Sequence, residues 1–135
     1  MPVLRIGFFE KFKLNDSLLL EGDAESIQTL STLLRTVASS KQSIQLDQCQ
    51  GVVAYGGVRV TADFSSEDFG LVATSRRSFS WRRSAEGWAD VVDKLASVCS
   101  SDHPCHQYLD GPSDDVQAIV SLEEYGEAWW ADQAS

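Results

Sequence analysis

Residues 99–109 read CSSDHPCHQYL and crowd two thiols, two imidazoles and a carboxylate into one short span. These are side chains that hold zinc or perform acyl transfer. A structural zinc site draws two close ligand pairs from separated segments. Here Cys99, His103, Cys105 and His106 lie almost together, two of them adjacent, and Cys49 is the only distant thiol. Adjacent side chains diverge in regular structure, so this spacing argues against four ligands on one ion. A Cys–His nucleophile also needs an oxyanion hole, and no Gly-rich elbow surrounds Cys105 and His106. The span reads instead as a structural corner. Cys99 extends an apolar helical stripe, Pro104 stops the helix, and His106 and Tyr108 alternate with Gln107 and Leu109 as on an extended piece. No metal and no cofactor is expected.

The stretch RRSFSWRR, residues 76–83, interleaves arginines with aromatics. That pattern can bind single-stranded nucleic acid through phosphate contacts and base stacking. On a strand, however, Phe79 and Trp81 share one face and Ser78 and Ser80 the other. The arginines then flank the aromatics instead of lining a groove, so a core strand with a charged exit is the reading adopted. DGPSDD lacks the spacing of a calcium loop, and neither a phosphate-binding loop nor a dinucleotide glycine motif is present. Glu123 and Glu124 read as a solvated strand end.

The elements that position these residues follow from periodicity. VLRIGFFE and SLLLEG predict two strands with a turn near KFKLND. In GDAESIQTLSTLLRTVASS, residues Ile27, Leu30, Leu34 and Val37 recur at helical spacing behind a capping Asp23. SIQLD alternates as a strand. GVVAY and VRVTADF predict a hairpin around Gly56-Gly57, and FGLVATSRRSFSWRR one or two further strands. A second helix spans SAEGWADVVDKLASVCS, capped by Ser84, with Trp88, Val91, Val92, Leu95 and Val98 on one stripe. VQAIVSLEE is the last strand, and EAWWADQAS a short helical turn. The order predicts a single α+β domain over residues 1–135. Its expected form is a two-layer sandwich, mainly antiparallel sheet with two helices on one face, ferredoxin-like or related.

Composition sets the function class. The chain has 135 residues, 43% of them hydrophobic, with no run long enough to span a bilayer. The N-terminal apolar stretch has no basic leader, so no signal peptide is expected, and three unframed cysteines suit a cytoplasmic protein. The formal charge is −9. Residues 95–135 hold eight acids and no Lys or Arg. Such a field repels phosphate, so neither nucleic acid nor anionic membrane is expected as a partner.

HQYL at residues 106–109 and the Ser121-x-x-Glu124-Tyr125 ending, with the tryptophan at 88, resemble the C-terminal end of small acidic uncharacterised bacterial proteins. These are similar to immunity proteins that neutralise secreted toxins. The resemblance implies a binding protein without catalytic residues, whose partner is a basic protein, a secreted toxin in the first instance. The expected contact residues are Asp110, Asp114 and Asp115 in the acidic turn, then Glu123, Glu124 and Glu127 after the last strand, and Trp130 as aromatic anchor. Two other readings stay open: a regulatory subunit that self-associates through a sheet edge, and a small hydrolase using Cys105 and His106.

Overall fold

The computed structural model describes residues 3–12 and 15–133; the expected turn at Lys13 and Leu14 lies outside them. The fold is α+β and two-layered, as expected. Strands β1 (Leu4–Phe12) and β2 (Asn15–Gly22) are followed by helix α1 (Ala24–Ser40). Next come β3 (Ile44–Gln45), a short 3-10 turn (Leu46–Gln48), β4 (Val52–Ala54) and β5 (Arg59–Phe64). Strands β6 (Gly70–Ser75) and β7 (Ser78–Arg83) lead into α2 (Ala85–Cys99). Strands β8 (Cys105–Tyr108) and β9 (Gln117–Leu122) and the short α3 (Glu127–Gln133) complete the chain.

The strands form two sheets, ordered β4-β1-β2-β9-β8 and β3-β5-β7-β6. Both are mixed: β1–β4, β2–β9 and β5–β7 are parallel, and the other ladders are antiparallel. The hairpin expected around Gly56-Gly57 is a correction. Both glycines take positive φ, 67° and 74°, but the two arms part: β4 joins β1 in one sheet and β5 joins β3 and β7 in the other. An isolated two-stranded ribbon is marginal in water, and each arm finds a larger sheet to complete. SIQLD is strand only at Ile44–Gln45; the following turn puts Leu46 into the core, and Asp47 accepts from Val60 N at 2.9 Å.

Both helices pack on one face of the sheets. Ile27, Leu30, Leu34 and Val37 of α1 and Trp88, Val91, Leu95 and Val98 of α2 are buried with Ile6, Leu20, Trp81 and Val120 of the strands. Asp23 caps α1 by accepting from Ser26 N at 2.8 Å, and Ser84 caps α2 by accepting from Gly87 N at 3.1 Å. Phe79 and Trp81 both point inward, as their shared strand face requires. Arg83, expected at a charged exit, is buried at 3% exposure. Its guanidinium forks onto Asp68 at 2.6 and 3.1 Å, which keeps its charge paired out of water. Among the described residues, no helix is long and apolar enough to cross a membrane.

Candidate functional site

The opposite face of the five-stranded sheet carries a second, smaller core. Strand register aligns Arg5 with Glu21, Glu21 with Ser121 and Ser121 with His106, giving one polar row across four strands. The next row down is apolar, with Gly7 paired to Leu19 and Leu19 to Ile119. α3 lies over this row, and Trp130 is fully buried against Leu19 and Ile119. Gly7 makes room for it: a Cβ there would stand 2.8 Å from Trp130 Cζ3.

Glu21 ties α3 to the sheet. Its carboxylate accepts from Trp130 Nε1 at 2.5 Å and from Tyr125 N at 2.6 Å. Ser121 Oγ lies 3.1 Å from Glu21 Oε2 and 2.8 Å from Glu124 Oε1. Glu124 Oε2 in turn meets His106 Nδ1 at 3.0 Å. A hydroxyl has one proton to give, so Ser121 cannot donate fully to two ionised carboxylates at once. Burial raises the Glu21 pKa above its ordinary value, against the opposing pull of Trp130, Tyr125, Ser121 and Arg5.

Part of the C-terminal segment that carries the resemblance meets in space. His106, Ser121, Glu124 and Tyr125 all belong to this bracket around Glu21, and Leu109 and Trp88 are core residues. Trp88 Nε1 donates to Asp63 O at 3.0 Å. The bracket around Glu21, not Trp88 or Leu109, holds the fold's outer helix.

The CSSDHPC corner does not converge. Cys105 packs on the main core, while His106 stands edge-on to Tyr108 on the other sheet face, with ring centroids 5.6 Å apart. Adjacent strand residues point oppositely, so Cys105 and His106 do not form a nucleophile–base pair. Cys99 Sγ donates to Ala24 O at 3.6 Å, and burial pushes its thiol pKa up. His103 is exposed beside Asp102 at 2.9 Å. Among the described residues, no three His, Cys, Asp or Glu side chains are placed to hold a metal ion.

The expected contact residues divide into two groups. Trp130 is a correction: a fully buried indole offers nothing to a partner. Asp114 is half-buried, and its oxygens also hold a loop within the chain. Oδ1 accepts from Leu71 N at 2.8 Å and Oδ2 from Gly111 N at 2.6 Å, so the 110–116 turn closes the free edge of β6. Its pKa is raised by burial, with a smaller push from Asp110. Glu124 keeps a quarter of its side chain exposed but serves the Glu21 bracket. Asp110, Asp115, Glu123 and Glu127 remain exposed. Asp110, Asp114 and Asp115 join Asp16, Asn15 and Gln117 around an open cleft of about 490 Å³.

Trp129, one residue before the buried indole, is the only one of the four tryptophans left partly exposed. It stacks among Tyr125 at 4.4 Å, Phe9 at 5.3 Å and Phe12 at 6.3 Å between ring centroids. Helical rotation by one residue decides which indole faces in, and the Trp-Trp pair alone does not reveal it. No family model matches the chain, and neither does any curated protein or solved structure.

Proposed function

We propose that this protein is a non-enzymatic binding protein of the immunity type, which occludes a basic surface of a protein toxin. The observation that carries the reading is the unneutralised charge of the C-terminal third. Residues 95–135 contain no Lys or Arg. Among the described residues, one ion pair joins any of their carboxylates to a Lys or Arg elsewhere: Arg5 with Glu127, at 3.9 Å and with Glu127 90% exposed. A pair so exposed is screened and contributes little. Arg76, Arg77 and Arg82 are exposed and form no ion pair with this region among the described residues. The carboxylate field therefore reaches outward. It attracts a cationic surface at long range and rejects nucleic acid. A toxin that cuts nucleic acid needs a basic cleft, and an acidic protein seated in it blocks the substrate without chemistry of its own.

The test begins with affinity capture at low ionic strength from the native host. The expected partner is a basic protein that salt elutes. Titrated against that purified partner, this protein abolishes its activity at one-to-one stoichiometry. A neutral or acidic partner, or a partner that keeps full activity when saturated, overturns the reading.

A further inference from the structure

We propose that the half-exposed aromatic patch centred on Trp129 and Phe9 is the anchor of the docking face, and that it takes an arginine side chain of a basic protein partner. This rests on the binding reading above and names the chemistry of its contact. Three observations on different elements meet here. First, Trp129 of α3 presents an indole packed by Phe9 of β1 at 5.3 Å and backed by the buried Trp130 at 5.2 Å. Its position is thus fixed before any partner arrives, which reduces the ordering cost of binding. Tryptophan held in this way is the residue type most enriched at binding hot spots.

Second, exposed carboxylates lie on the same elements as the patch. Glu127 and Asp132 lie to either side of Trp129 along α3, and Asp16 stands at the end of the β1–β2 hairpin, where its Oδ1 accepts from Lys11 N at 3.0 Å. Arg5 and Lys11 are the two cations among the described residues of that hairpin, and Arg5 lies 3.9 Å from Glu127. An apolar patch on elements that carry carboxylates selects a group that is both flat and cationic. Guanidinium is such a group: it stacks on an indole face and forks onto carboxylates. The chain uses the same contact internally, where the Arg82 guanidinium sits 4.4 Å over the Phe69 ring.

Third, the patch is continuous with the acidic cleft. Phe12 of the aromatic group pairs in register with Asn15, which lines the cleft beside Asp16. A basic partner anchored at Trp129 thus lays its neighbouring cations toward Asp110 and Asp115.

The experiment uses the full chain labelled with 5-fluorotryptophan and three dye-tagged nonapeptides at low salt: nona-arginine, nona-lysine and a glycine–serine control. Four ¹⁹F resonances are expected. Nona-arginine shifts the Trp129 resonance and leaves Trp81, Trp88 and Trp130 in place. Its affinity exceeds that of nona-lysine, and Trp129→Leu lowers it by roughly fivefold, the effect of losing one exposed cation–π contact. An unmoved Trp130 resonance in that variant shows that α3 stays seated. If nona-arginine binds by its dye signal while the Trp129 resonance stays still, the anchor is refuted and the acidic docking face stands. If neither cationic peptide binds, both fall. If Trp129→Leu unseats α3, the resonance shift in the unsubstituted chain decides the matter alone.

Discussion

Glu21 Oε1 lies 2.5 Å from Trp130 Nε1, a contact between β2 and α3 across most of the chain. It joins a buried carboxylate to a buried indole and fastens the last helix to the sheet. Glu21→Ala leaves the indole N–H and Tyr125 N without their acceptor. We expect a loss of about 2–4 kcal/mol in urea unfolding, since each orphaned buried donor costs about 1–3 kcal/mol. Trp130 hydrogen exchange should accelerate as well. Unchanged stability would show that α3 is not held by this carboxylate.

Gly7 tests the same seat from below. A Cβ at residue 7 meets Trp130 Cζ3 at 2.8 Å and the Phe9 ring at 2.9 Å. Gly7→Ala is therefore expected to destabilise by about 1–3 kcal/mol through overpacking, with the loss concentrated in α3. Fluorescence should move to the red as Trp130 becomes wetter.

Asp114 holds a loop, so its substitution acts on stability and only indirectly on binding. Asn at 114 keeps one acceptor oxygen where the carboxylate offers two, so either Leu71 N or Gly111 N loses its partner. The expected cost of Asp114→Asn is about 1–3 kcal/mol. Asp115→Asn is expected to cost far less, because among the described residues its carboxylate accepts one hydrogen bond, from Ala73 N, long at 3.4 Å and exposed. Chemical denaturation of the two variants separates these roles.

Two carboxylates give opposite pH limbs. Burial raises the Glu21 pKa above its ordinary 4.5, so the native state keeps a proton that the unfolded chain has released. Its contribution is complete below pH 4.5 and is lost as pH rises through the native value. Hydrogen bonding to Arg83 lowers the Asp68 pKa below its ordinary 3.8. That contribution is present above pH 3.8 and is lost as pH falls through the native value. Glu21→Gln should flatten the limb above pH 4.5, and Asp68→Asn the limb below 3.8. Stability measured against pH for both variants checks the assignment.

Much of this fold is legible in the sequence wherever one residue's neighbours along the chain decide its place. The stripe Ile27, Leu30, Leu34 and Val37 and the caps Asp23 and Ser84 specify the two long helices locally. Sheet membership is not local. VVA and VRVTADF look alike on either side of Gly56-Gly57, yet their partners are β1 and β7, and nothing in either arm names them. The outer core escapes for a similar reason. Glu21 looks like the polar end of SLLLEG, and only the register with Ser121 and the arrival of Trp130 reveal why a carboxylate is buried there. Of the candidate site, the exposed acids were legible from composition. The choice between Trp129 and Trp130 was not, because it depends on how α3 is turned over Gly7.

The central claim is that an outward carboxylate field, not a reactive group, is what this protein uses. The most direct measurement is the association rate with its captured basic partner, taken by stopped flow across a salt series. The variant carries Asp110→Lys, Asp115→Lys, Glu123→Lys and Glu127→Lys, residues that are exposed. The account predicts association slowed by roughly tenfold or more at low salt, with dissociation changed far less and the difference vanishing as salt rises. Equal association rates for both proteins at low salt would contradict it.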